Sequence, residues 1–192
     1  MAIKALVFDN FGVLMDVVYS SLRQILPGDA RGELLKILDN ADTGIISADD
    51  QLSQIKALLN RYRLNGADEV ARAIQRSKRN DELIDFIIKS RTSYKTALLS
   101  NVSAVIWNYY TPETLNKLFD VQVLSYQEGM MKPDHRIYQL TCNRLGVQPD
   151  ECVFTDDNQA NVVAAREVGM HGIVFTDNKS YFEELQEIVE HA

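Results

Sequence analysis

Cysteine is scarce in this chain of 192 residues, which has only Cys142 and Cys152. Two isolated cysteines exclude a disulfide framework and a thiolate zinc site. They are expected to be buried as small apolar side chains in a reducing compartment. An excess of positive charge is also lacking. The formal net charge is −7, which leaves no electrostatic footprint for nucleic acid or an anionic membrane. No run approaches the ~18 apolar residues of a membrane span. The opening apolar run, cut off at Asp9, is too short for a signal peptide. Internal repeats and low-complexity segments are absent as well. These absences predict a cytoplasmic protein with neither nucleic acid nor membrane as partner; its oligomeric state stays open between monomer and homodimer.

What remains is an ordinary globular composition, 46% hydrophobic and 24% charged. The length suits one well-buried domain, or one domain with a smaller insert. Short apolar runs ending in polar residues mark strands at Ile3 to Phe8, Thr96 to Leu99, Val121 to Leu124, Cys152 to Thr155 and Gly172 to Phe175. Such continuous runs suit strands buried on both faces of a parallel sheet. Helical patterns separate the later runs. Asp134 to Leu145 stops at Gly146, and Asn158 to Val168 stops at Gly169, as helices capped by glycine do. The alternation predicts an α/β fold, a doubly wound parallel sheet.

Roughly 80 residues separate the first strand from the second, and they read as helical. Val17 to Leu26, Arg31 to Leu38, Ala48 to Tyr62 and Asp68 to Arg79 carry helix-spaced apolar residues. Ser47 and Asp50 resemble a capping box before the third. Asn80-Asp81-Glu82 then opens a helix, Leu83 to Lys89, that rejoins the core. The expected organisation is a core of residues 1–14 and 81–192, with a helical insert over 15–80 projecting from the end of strand one.

The strand ends carry the chemistry. Asp9 ends the first, Ser100-Asn101 the second, and Thr155-Asp156-Asp157 the fourth; Lys132 follows the third. In a parallel sheet these ends open on one edge, where ligands bind in this architecture. Taken singly, each has an ordinary reading. Asp9 closes a turn, Ser-Asn belongs to a loop, Lys132 is a solvated charge, and Asp157-Asn158 caps a helix. Their joint placement at successive strand ends argues for a site.

The segments "VFDNFGVL", "LLSN", "GMMKPDHRIY" and "VFTDDNQANVVAAREVGM" together resemble the motifs of the haloacid dehalogenase-like hydrolase superfamily, in order and spacing. Most of its members are phosphatases. The insert looks like the small helical cap of one subclass, and the last two segments look closest to the sugar-phosphate and epoxide-hydrolase-associated phosphatases. The resemblance implies that Asp9 is a nucleophile forming an aspartyl-phosphate. It implies Mg²⁺ held by Asp9, the backbone carbonyl of Phe11, Asp156 and Asp157. Lys132 would pair with Asp9 and with phosphate oxygens and keep the nucleophile ionised. Ser100 and the backbone N–H groups of Asn10, Phe11 and Asn101 would cradle the phosphoryl oxygens.

Asn161 is a candidate for orienting Asp157. His135, Tyr138 and Trp107 are weaker candidates, read as a surface histidine and core aromatics. Met15, Asp16, Tyr19 and Arg23, just past the first motif, are the residues expected to face a leaving group. The substrate would be a small phosphorylated metabolite, with sugar phosphates in view.

One element of the pattern is missing. Most phosphatases of the superfamily carry an Asp two residues after the nucleophile, which protonates the leaving oxygen; here that place holds Phe11. Three readings follow: a phosphatase that manages without this acid, a phosphate-binding protein that has lost turnover, and a haloacid dehalogenase, in which an aromatic at this place is usual. Asp156 and Asp157 argue against the dehalogenase, which needs no Mg²⁺, although Arg23 and Arg31 stay open as counterparts of its halide-binding arginine. Retention of Asp9, Lys132 and Asp156 argues against the binder. A phosphomutase depends most on the missing acid and is disfavoured.

Overall fold

The computed structural model describes residues 2–16, 19–75, 78–110 and 118–192. Five strands, β1 (Ala5–Phe8), β2 (Lys95–Ser100), β3 (Val121–Leu124), β4 (Cys152–Asp156) and β5 (His171–Val174), form one sheet in the order β3-β2-β1-β4-β5. Every pairing is parallel. The fold is the α/β doubly wound arrangement that the strand–helix alternation implies.

The continuous apolar runs have a direct cause. Leu6, Phe8, Leu98, Val153 and Ile173 pack into one core cluster. Their neighbours in sequence, Ala5, Val7, Ala97, Leu99, Cys152 and Phe154, pack into a second. Side chains alternate across a sheet, so a strand covered on both faces is apolar at every position. The two cysteines are free and buried. Ten residues apart in sequence, they meet within the second cluster with their Sγ atoms 3.7 Å apart.

Between β1 and β2 lie α1 (Ser20–Ile25), α2 (Gly28–Asp42), α3 (Ala48–Arg61) and α4 (Gly66–Gln75). Residues 17–18 and 76–77 of the expected helical segments fall outside the described residues. Ser47 caps α3 by accepting from the Asp50 N–H at 3.1 Å. α2 extends beyond the expected Arg31 to Leu38 at both ends, where only the small buried Ala30 and Ala41 continue the stripe among polar residues.

The outgoing and returning segments run side by side. Met15 and Arg79 form an antiparallel bridge, the Asp16 N–H donates to the Lys78 carbonyl at 3.0 Å, and the Asn80 N–H donates to the Leu14 carbonyl at 2.8 Å.

After the stem, Asn80 caps α5 (Asp81–Ser90) through the Leu83 N–H. α6 (Ala104–Tyr110) follows β2, and α7 (Ser125–Glu128) follows β3. α3 packs on α6 and α2 on α7, which brings the helices that follow β1 over the carboxyl edge of the sheet. α8 (His135–Leu145) ends at Gly146 with φ 65°, and α9 (Gln159–Glu167) follows β4. The chain ends in α10 (Asn178–His191), capped by Asp177. Helices α6, α7 and α10 have no counterpart in the sequence reading. α7 is one turn long, and α10 buries fully only Tyr181 and Leu185, so its apolar stripe is thin. Among the described residues no helix is long and apolar enough to cross a membrane.

Candidate active site

β1 sits at the centre, with β2 and β3 on one side and β4 and β5 on the other. Chain order reverses across β1, so the connections leaving β1 and β4 diverge and open a crevice at their carboxyl ends. Asp9 stands there, its N–H donating to the Thr155 carbonyl at 2.9 Å. Its Oδ1 lies 2.7 Å from Lys132 Nζ. The same ammonium donates to Asp156 Oδ2 at 2.6 Å. All three side chains are buried, Lys132 to 1% exposure.

Lys132 and Asp156 are each held in place by further residues. Asn101 grips the Lys132 backbone from both sides: its Nδ2 donates to the Lys132 carbonyl and its Oδ1 accepts from the Lys132 N–H, each at 2.9 Å. Asn161 Nδ2 donates to both oxygens of Asp156, at 3.1 and 3.0 Å, and the Asn158 N–H donates to Asp156 Oδ1 at 2.8 Å. Tyr138, fully buried, donates from its hydroxyl to the Asn161 carbonyl at 2.9 Å. Asn161 therefore orients Asp156, where Asp157 was the expected partner. The register explains it: Asp156 is the last residue of β4 and points into the start of α9, whereas Asp157 has already left the strand.

Asp157 leans on the β1 turn instead. Gly12 has φ +92°, and a Cβ there would lie 2.3 Å from Asp157 Oδ2. Glycine is thus required twice, for the backbone conformation and for the room. The Leu14 and Met15 N–H groups donate to the Asn10 carbonyl, closing the same turn.

The electrostatics follow from the count of charges. Burial pushes the Asp9 carboxyl up to about 7, with Lys132 opposing and Asp156 adding to the rise. Burial works against the Lys132 ammonium, but Asp9 and Asp156 together more than offset it and raise its pKa. One cation faces two buried acids, so it stays charged while the acids remain short of positive charge. Asp157 is raised too, by burial and then by Asp156. Oxygens of Asp9, Asp156 and Asp157 all lie within 4.8 Å of one another. Such a cluster of hard oxygen donors fits Mg²⁺ in chemistry and spacing.

A cavity of about 250 Å³ opens onto this edge. Asp9, Phe11, Asn101, Lys132, Asp157 and Asn158 line it from the core, and Tyr19, Arg23, Leu38 and Asp42 from the helical segment. Val102, Ile106 and Asn161 complete the wall. Ser100 and Asn10 are buried next to lining residues Asn101 and Asp9, and among the described residues the Ser100 hydroxyl and the Asn10 side-chain amide have no hydrogen-bond partner.

Two of the residues expected to face a leaving group, Tyr19 and Arg23, do line the cavity; Met15 and Asp16 do not. They line a separate cavity with Lys78, Arg79 and Asn178, where Asp16 Oδ2 accepts from the Lys78 N–H at 3.1 Å. Asp16 braces the stem because it sits where the outgoing strand pairs with the returning one. Arg31 donates to the Leu26 carbonyl and is absent from the site cavity. His135 is exposed and bonded to Glu167 at 2.8 Å, and Trp107 is in the core. Leu38, Asp42, Val102 and Ile106 escaped the sequence reading. Nothing in the local pattern around them distinguishes a cavity wall from a helix face.

A model of the haloacid dehalogenase-like hydrolase family matches residues 3–169. The chain belongs to that family. Among its relatives, this hydrolase is 28% identical over 183 residues to D-ribitol-5-phosphate phosphatase of Bacteroides thetaiotaomicron, covering 87% of this chain and 89% of that one. It is 41% identical over 73 residues to Acyl-CoA dehydrogenase family member 10 of Mus musculus, but these cover 38% of this chain and only 7% of that far longer protein. The fold matches a HAD family enzyme of Bacteroides thetaiotaomicron crystallised with magnesium and inorganic phosphate, with a TM-score of 0.76 at 22% identity, covering 94% of this chain and 99% of that one.

Proposed function

We propose that this hydrolase is a Mg²⁺-dependent phosphatase of a small phosphorylated metabolite, such as a sugar phosphate, acting in the cytoplasm as a monomer or homodimer. The observation that carries the reading is the cluster of Asp9, Lys132, Asp156 and Asp157 at one sheet edge. A nucleophilic carboxylate beside a buried ammonium and two further acids suits attack on a phosphoryl dianion, and the extra acids have no use in a dehalogenase. The naming of a full-length relative as a sugar-alcohol phosphatase points the same way. The cavity, at about 250 Å³, is smaller than usual small-molecule sites, which favours a compact substrate.

In this reading Asp9 attacks phosphorus as the bond to the leaving oxygen breaks, and water then hydrolyses the aspartyl-phosphate. Lys132 keeps Asp9 ionised and faces the phosphoryl oxygens. The Ser100 hydroxyl, buried and without a hydrogen-bond partner among the described residues, donates to a phosphoryl oxygen. Backbone N–H groups of Asn10, Phe11 and Asn101 complete the cradle, the Asn101 side chain being taken up by Lys132. Mg²⁺, held by Asp9, the Phe11 carbonyl, Asp156 and Asp157, would neutralise phosphoryl charge. Residues 15–80 act as the lid that encloses the substrate.

Phosphate release from acetyl phosphate, p-nitrophenyl phosphate and sugar 1-phosphates, with Mg²⁺ and with chelator, tests this. These leaving groups need little protonation, so turnover is expected with metal and none without. Turnover unchanged in chelator sinks the metal assignment. Metal-independent chloride release from 2-chloropropionate establishes the dehalogenase instead. Phosphate binding without turnover of any ester establishes the binder.

A further inference from the structure

Phe11 cannot protonate a leaving oxygen, and the lid residue nearest to it in sequence with a carboxyl, Asp16, sits in another cavity. We propose that Asp42, the last residue of α2, supplies that proton from the lid side of the site. This rests on the phosphatase reading and goes beyond it by naming the acid.

Three observations converge on Asp42. It lines the same cavity as Asp9, Lys132 and Asp157, and among the described residues it is the only carboxylic acid there outside the Asp9–Asp156–Asp157 cluster. Its carboxyl has no hydrogen bond or ion pair among the described residues. Its surroundings favour the protonated form: burial first, then the charge of Asp39, raise it to about 7. The carbonyl end of α2 acts in the same direction, and no basic residue occupies its last turn. Arg23, Lys132, Asp9 and Asp157 are the other charged groups lining the cavity. Arg23 cannot give up a proton, and the other three already have roles at the phosphoryl group.

The step balances. As an Asp9 oxygen bonds to phosphorus, the bond from phosphorus to the leaving oxygen breaks, and the Asp42 proton passes to that oxygen. An alcohol departs, leaving Asp42 as carboxylate and Asp9 as the acyl phosphate. Water then attacks phosphorus and gives its proton to Asp42. Inorganic phosphate leaves, Asp9 returns as carboxylate, and Asp42 is again protonated.

The test measures alcohol release in the first turnover, so that the shared hydrolysis of the intermediate does not mask the donor step. Full-length wild type with Mg²⁺ is compared with Asp42→Asn and Asp42→Ala on glycerol phosphate and on p-nitrophenyl phosphate. Both variants are expected to lose ~10²–10⁴-fold on the alkyl ester, the range of general acid catalysis. On the aryl ester they should lose less than about tenfold, since nitrophenolate departs without a proton. Retained aryl turnover also certifies the fold. Equal losses on both esters, or no loss on glycerol phosphate, overturn the assignment. Wild type that turns over aryl but not alkyl phosphate overturns it too, while the phosphatase reading stands. Wild type inactive on both esters takes down that reading and the inference with it.

Discussion

The two sides of the cavity differ in how their polar groups are held. At the sheet edge Lys132, Asp156, Asn101 and Asn161 are locked into one another by hydrogen bonds of 2.6–3.1 Å. Across from them, on α1 and α2, Arg23 and Asp42 line the same space, and neither side chain has a hydrogen bond or ion pair among the described residues. Charge stabilisation works best when donors and charges are fixed before the substrate arrives, because nothing then reorganises during the reaction. Groups that meet a variable leaving group gain from the opposite arrangement. They stay unsatisfied until the substrate supplies a partner. In the proposed reading the strand edge would carry the phosphoryl chemistry, and the helical side would meet the leaving group.

Breaking the fixed side should have the largest effects. Asp9→Asn is expected to cut phosphate release by more than ~10³-fold, as loss of a nucleophile does, while the far-UV spectrum stays that of the wild type. Wild-type turnover by the pure variant rules out a covalent Asp9.

Lys132→Met leaves Asp9 and Asp156 facing each other without their shared cation. Breaking a buried ion pair from one side costs ~3–5 kcal/mol. Urea unfolding should show that loss, together with loss of turnover; a midpoint shift worth under about 1 kcal/mol would mean the triad is far better solvated than its burial implies.

Gly12→Ala reaches the acid cluster indirectly. The strained φ costs ~1–3 kcal/mol, and the new methyl displaces Asp157. A higher Mg²⁺ concentration for half-maximal activity is expected, with substrate KM changed less.

The smallest effect lies on the helical side. Asp42 is raised from 3.8 to about 7 in the folded protein, so the folded state holds its proton more tightly than the unfolded chain. The associated stability is complete below pH 4 and is lost as pH rises through 7. Asp42→Asn, neutral throughout, should match wild type in Tm at pH 4. At pH 8.5 it should exceed wild type by about 1 kcal/mol after allowance for partial exposure, or ~2–4 °C. A Tm difference independent of pH would show that Asp42 does not titrate as described.

The core of this hydrolase was legible because its signals are local. A strand buried on both faces is apolar along most of its length, and a parallel sheet places all its carboxyl ends on one edge. Hence the runs ending at Phe8, Leu99 and Thr155 announce both the fold and the neighbourhood of Asp9, Ser100 and Asp156. Strand and helix limits differ by a few residues from the apolar runs, since polar ends carry no periodic signal. Asn101 and Asn161 show where local reading stops. Both amides sit beside the right motifs, but only the folded backbone decides that one clamps Lys132 and the other Asp156.

The helical segment between β1 and β2 exceeds that limit altogether. Four helices can be read from their spacing, but periodicity says only which face is apolar and not what that face meets. Asp16, seven residues after Asp9, turns into the stem because the returning chain pairs with it there; Asp42, thirty-three residues away, lines the cavity because α2 packs on α7. The sequence by itself determined the sheet, its edge and the acids and lysine gathered on it, through rules of alternation and handedness that act over a few residues. Which residues close over that edge was decided by tertiary structure alone, because helix-to-helix packing depends on surfaces assembled from segments far apart in the chain.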